Sequence, residues 1–276
     1  MRFIDTQLIE FKRLMEDAII EGGVRGKTSI IRSSALINLI HDAVKFELIE
    51  EGVNPENIYP RLGETKPEIK IAGFLKQKNQ DVCVLPNNIE KKQTLIDWGP
   101  LAFKEADDPY GEEYSSNTLV INIRSQMSSL DKNADTLFER TFAESLNLHL
   151  RYPRMVLGEV YLIPAYEYDD ELVKTNTVGF KANHSNIERY LSFFDAINNR
   201  SLENDVDNYA YERVTLLIVD FNREIPKLYN STEELVNDGL LREDFPLTYE
   251  GLNYDNFAKD ILNIYAERFN INNIKL

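Results

Sequence analysis

Residues 121–164 read INIRSQMSSLDKNADTLFERTFAESLNLHLRYPRMVLGEVYLIP, and their hydrophobic period changes twice. The front completes an apolar run from Thr118 to Ser125, which reads as a strand that starts buried and leaves through Arg124, Ser125 and Gln126. From about Ala134 to Leu150 the period becomes helical. Phe138, Phe142, Leu146 and Leu150 form one apolar stripe, and Pro153 closes the segment. Glu139 projects roughly 100° from Phe138, beside that stripe. Glu144 falls on another face, near Leu137 and Leu148. Met155 to Ile163 returns to a strand.

Working outward, Ile4, Leu8, Phe11, Met15 and Ile19 predict a helix over 5–21 that stops at Gly22-Gly23. A second helix runs from Ser34 to Glu51, followed by a loop between Pro55 and Pro67. Two short strands, Ile69 to Leu75 and Gln80 to Leu85, are joined by Lys76-Gln77-Lys78-Asn79 as in a hairpin. A polar segment from Pro86 to Asn117 carries Trp98 and the acidic run Glu105 to Asp108. The C-terminal part reads as a helix at Asn186 to Asn198, a strand at Val214 to Phe221, and helices at Thr232 to Leu241 and Asp255 to Phe269. No repeat interrupts this order. The expectation is an α/β fold with a mixed central sheet flanked by helices, as one elaborated domain. Residues 1–33 would form an N-terminal helix and basic loop, 34–165 the core, and 166–276 a C-terminal α/β extension serving target recognition or dimerisation.

With 43% hydrophobic and 28% charged residues, the 276-residue chain is compositionally globular. One cysteine, Cys83, excludes an internal disulfide framework and a cysteine zinc site. The N-terminus lacks signal-peptide character, and no apolar run approaches the roughly 18 residues of a membrane span. A cytoplasmic protein with no membrane partner is expected. The net charge of −15 argues against general nucleic-acid binding. It leaves room for a local basic cleft.

Acidic oxygens converging from separate elements can hold Mg2+, which takes oxygen ligands and keeps several waters. Asp81 heads the apolar run Val82-Cys83-Val84-Leu85 directly after a lysine-rich turn, which suits either a metal ligand or a strand-entry residue. Glu144 is either a ligand or the partner of Arg140 one turn earlier. Glu139 is either its rival or a boundary residue reaching solvent. Arg124, Ser125 and Gln126 end their strand as phosphate or water contacts, or as an ordinary strand exit.

Residues 22–28 superficially suggest a phosphate loop but lack its first glycine and follow a helix. Their Arg25 and Lys27 read as a basic surface loop, either touching DNA phosphates or simply solvated. His41, His149 and His184 lack metal-ligand spacing, and His149 suits a satisfied core or boundary position. Tyr166, Tyr168, Tyr190, Phe193 and Phe194 read as core, with base stacking as the less common use. The acid runs Glu167 to Glu171 and Glu203 to Asp207 read as solvated loops.

The stretch 121–164 resembles the catalytic half of PD-(D/E)XK restriction endonucleases, in the style of the group that recognises CCGG-containing sites. Ile123-Arg124-Ser125 is followed by Arg140-Thr141, Glu144-Ser145 and Leu146-Asn147-Leu148, then by Glu159 and Pro164. The resemblance implies Mg2+-dependent hydrolysis of double-stranded DNA by a homodimer. It gives the metal to Asp81 and to Glu144 on the helix, with Arg124, Ser125, Arg140 and Lys132 toward DNA. The chain departs from the family pattern at Asn122-Ile123-Arg124, where an acid-x-lysine would stand. Lys78 and Lys132 are candidates for the missing lysine, and Gln126 for a polar substitute. A catalytically inactive relative or acidic interaction module, and an unrelated small-molecule enzyme, stand as alternatives.

Overall fold

The computed structural model describes residues 1–202 and 207–276, so most of the acidic run at 203–207 lies outside the described residues. The helices are α1 (Phe3–Arg32), α2 (Ala35–Glu50), α3 (Glu112–Ser116), α4 (Leu130–His149), α5 (Asp170–Lys174), α6 (Ile187–Ala196), α7 (Thr232–Asn237) and α8 (Phe257–Arg268). The strands are β1 (Ile58–Tyr59), β2 (Ile69–Ala72), β3 (Gln77–Gln80), β4 (Val82–Val84), β5 (Thr94–Leu95), β6 (Asp107–Asp108), β7 (Leu119–Ser125), β8 (Val156–Pro164), β9 (Arg213–Asp220) and β10 (Lys227–Leu228).

Among the described residues, a six-stranded sheet has the order β1-β4-β7-β8-β9-β10. Its centre, β7-β8-β9, is parallel, and its outer pairs are antiparallel. The apolar runs of β8 and β9 follow from burial on both faces, as a parallel sheet requires. Ile121, Ile123, Val160 and Leu217 meet Phe11, Ile40, Val44 and Ile261 of α1, α2 and α8 on one face. Val120, Leu157, Tyr161 and Val214 meet Ala134 and Leu148 of α4 and Tyr190 and Phe194 of α6 on the other. This is the expected mixed sheet flanked by helices. The region placed in a C-terminal extension supplies β9 and β10 of this same sheet. No described helix is long and apolar enough to cross a membrane.

Two local expectations fail for tertiary reasons. The glycine pair bends α1 without ending it: Gly23 takes φ 53° and ψ −130°, and the helix runs on to Arg32. A Cβ at Gly23 would lie 2.6 Å from Asn176 Oδ1 and 2.9 Å from the Val173 carbonyl, so glycine is what lets α1 approach α5 there. The supposed basic loop is therefore helix. Lys27 is buried, with Nζ donating to Asp170 Oδ1 at 2.7 Å, and is not available to DNA.

The hairpin is also displaced. β2 pairs with β3 in a separate small sheet, so Gln77-Lys78-Asn79 is strand and not turn. Asn147 of α4 fixes the true turn: its Oδ1 accepts the Leu75 and Lys76 N–H groups at 2.7 and 3.2 Å. A Cβ on Gly73 would sit 2.1 Å from Asn147 Nδ2.

Candidate functional site

The apolar stripe of α4 does not face the sheet. Phe142 and Leu150 are 40% and 37% exposed, while Thr141, Ser145 and Leu148 are buried. The stripe is covered from the side, with Phe138 stacking on Phe193 at 3.9 Å and Phe142 on Tyr209 at 4.6 Å. The polar side of α4 turns inward because the sheet surface beneath it is itself polar.

That surface follows from register. Side chains alternate along a strand, so Asp81, Asn122, Arg124 and Glu159 share a face with Cys83, Val120, Leu157 and Tyr161, which belong to the α4-side core. Asn122 is the register partner of Glu159 across β7 and β8. Asp81 Oδ2 accepts the Ile123 N–H at 2.9 Å, which pins Asp81 against β7.

Arg124 is the hub. Its guanidinium donates to Glu159 and Glu144, and Nη1 also donates to Thr141 Oγ1 at 3.1 Å. Lys78 Nζ, from β3, donates to Glu144 Oε2 at 2.7 Å. Glu159 is fully buried, whereas the Arg124 and Glu144 side chains are each 18% exposed and Lys78 is 29% exposed. The cluster thus opens toward β3. Burial pushes the Glu144 carboxyl up, but Arg124 and Lys78 outweigh it and hold the group below its ordinary value. Glu159 goes the other way. Burial raises it to about 8 against the pull of Arg124, with Glu144 and Asp81 adding to the rise. Glu159 Oε2 and both polar side-chain atoms of Asn122 are buried without a hydrogen-bond partner, which is uncommon in folded proteins.

The structure therefore brings together Asp81, Lys78, Arg124 and Glu144 of the sequence-predicted set. It separates the others. Glu139 is exposed beside Asp135, Phe138 and Phe193, away from the hub. Gln126 is buried and engaged: its Oε1 accepts the Tyr161 and Tyr190 hydroxyls at 3.0 and 2.6 Å, so it is not free to orient a water. Ser125 falls on the opposite face with Ile123. Lys132 and Arg140 are exposed on α4, and Arg25 is exposed on α1. Glu144 pairs with Lys78 and Arg124 instead of Arg140. His149 is a buried partner of Glu212, in keeping with a core histidine.

Sequence reasoning passed over Asn122 and Thr141 as site residues and met Glu159 only within the resemblance. The available signal was one amide and one acid inside otherwise apolar strand runs, VINI and VLGEVYLIP. Among the described residues no group of three or more His, Cys, Asp or Glu is placed to hold a metal. No family model matches the chain, and no curated protein or solved structure does so significantly.

The raised Glu159 value has a pH consequence. Between its ordinary 4.5 and about 8 the folded state holds a proton that the unfolded chain releases. That contribution to stability is complete below 4.5 and is lost as pH rises through about 8. With chelator present, the thermal midpoint is expected to fall over this window, and Glu159→Gln to flatten the fall. Parallel wild-type and variant curves across the window would rule this out.

Proposed function

We propose that the chain hydrolyses phosphodiester bonds in double-stranded DNA as a Mg2+-dependent endonuclease of the restriction type, acting in the cytoplasm. One observation carries the reading. An aspartate before β4 bonds to β7 through the Ile123 N–H, and Arg124 of the same strand bonds to Glu144 of α4, so the two acids that the resemblance names both attach to the Asn122-Ile123-Arg124 stretch.

The donor set fits a small hard cation. It is composed of carboxylate and amide oxygens, and the Asn122 amide and the Oε2 atom of Glu159 lack protein partners. Asp81 and one glutamate of the cluster would hold Mg2+, which when bound supplies charge neutralisation and an acidified water. The chain's own residues then divide the remaining work. Lys78, at the open side, is placed to hold a phosphate oxygen, with the Arg124 guanidinium behind it adding positive charge. The Ile123 N–H fixes the Asp81 carboxylate. Thr141 and Glu144 fix the plane of the Arg124 guanidinium. A homodimer would present two such clefts to a symmetric target.

One observation favours the alternative of an inactive relative or acidic interaction module. Arg124 occupies the lysine position and already engages two acids, in a chain of net charge −15. Incubating purified protein with plasmid and Mg2+, with and without chelator, separates the two. Metal-dependent fragments from wild type, lost at least a hundredfold in a folded Asp81→Ala variant, are expected. Full cutting by Asp81→Ala removes the site, and no cutting by wild type removes the nuclease.

A further inference from the structure

We infer that the cation is held by a row across three strands, Asp81, Asn122 Oδ1 and Glu159, and that Glu144 is a positioning residue for Arg124 and not a ligand. The assignment rests on the proposed nuclease only for expecting a divalent cation.

Three facts lead there. The antiparallel register puts Val82 opposite Ile121, so one step further along the strands Asp81 stands opposite Asn122. The parallel register then puts Asn122 opposite Glu159. Neighbouring strands lie about 4.8 Å apart, so the two acids flank the amide on the face beneath α4. Glu159 Oε2 and the Asn122 amide are buried with no partner, so the row has free oxygen donors at its centre. Glu159 is paired once, through Oε1 to Arg124, and keeps Oε2 unengaged, whereas Glu144 has its charge matched twice, by Lys78 at 2.7 Å and by Arg124. A carboxylate between two cations is a poor candidate for a third. It is well placed to draw the guanidinium toward α4. With the bound ion displacing the proton from Glu159, two carboxylates and an amide oxygen, with water completing the shell, make an adequate Mg2+ set.

The test uses the full chain without DNA, titrated calorimetrically with MnCl2 alone, with thermal midpoints in chelator and in excess MgCl2 as a second readout. Wild type is expected to bind and to gain thermal stability, because an ion that binds only the folded state shifts the midpoint. Glu159→Gln and Asp81→Asn are expected to weaken Mn2+ binding at least tenfold, while Glu144→Gln keeps it within about threefold. Asn122→Asp adds a charge to the row and is expected to tighten binding at least tenfold. It also decides the matter if Glu159→Gln does not fold. Loss in Glu144→Gln with retention in Glu159→Gln, no gain in Asn122→Asp, or no binding by wild type overturns the assignment. A chain that binds the ion through these residues but cuts no plasmid leaves the site standing and ends the nuclease reading alone.

Discussion

Arg124→Ala is expected to lose about 3–5 kcal/mol of stability, the range for removing one partner of a buried ion pair. The guanidinium is the only cation in direct contact with Glu159 among the described residues, and Glu159 is fully buried. Truncation leaves that acid with no cation in contact, frees Thr141 Oγ1 from its donor and leaves Glu144 to Lys78 alone. The penalty is expected to grow with pH. Glu159 already sits near 8, and without Arg124 it moves higher, so at pH 9 the folded state must hold a proton against a stronger pull than at pH 6. Arg124→Lys keeps the charge but not the fork that spans acids on two elements, so an intermediate loss is expected. Urea midpoints at both pH values measure the effect, and Glu159→Gln in the Arg124→Ala background should recover part of it. A loss below about 1 kcal/mol, independent of pH, would mean the hub is not holding the sheet to α4.

The same hub explains which parts of the fold were legible in the chain. β7, β8 and β9 stand out as apolar runs bounded by polar ones, and α2 and α8 as periodic segments with clear ends. Each signal is local, so each survives folding. The orientation of α4 does not. Its stripe of Phe138, Phe142, Leu146 and Leu150 announces an apolar face, yet the side that meets the sheet carries Thr141, Glu144 and Ser145. Which face is inner depends on Arg124 and Glu159 below, and Glu159 comes from a strand later in the chain. Asp81 and Lys78 were legible because an acid and a lysine at the head of a buried strand are conspicuous. Asn122 and Glu159 were not, because their meeting depends on the pairing of β7 with β8. Gly22-Gly23 misled for a related reason. The pair reads as a helix stop until α5 is present to need the space.

Glu212→Ala is expected to cost at least as much, about 3–5 kcal/mol, by stranding two buried guanidiniums. Glu212 lies just ahead of β9 with no exposure. Its Oε2 accepts the Leu157 N–H at 2.7 Å, and its Oε1 accepts from Arg200 and Arg268 at 2.9 and 2.8 Å. His149 Nε2 stands 3.3 Å away. One carboxylate therefore ties the start of β8 to the ends of α4 and α8. Burial alone would raise its pKa, but His149, Arg268 and Arg200 together bring it down to about 2. The folded value lies below the ordinary 4.5, so the stabilisation is complete above 4.5 and is lost as pH falls toward 2. This is opposite in sign to Glu159, and the two variants should separate cleanly. Glu212→Gln is expected to flatten the acid limb of a stability–pH curve, and Glu159→Gln the alkaline limb. The clamp also bears on the cleft. Leu157 precedes Glu159 by two positions on β8, and His149 ends the helix that carries Glu144. Loosening it should blur Mn2+ binding at a site that Glu212 never touches. Unchanged acid sensitivity in Glu212→Gln, or a Glu212→Ala midpoint within experimental error of wild type, would show that the buried carboxylate does not clamp these elements.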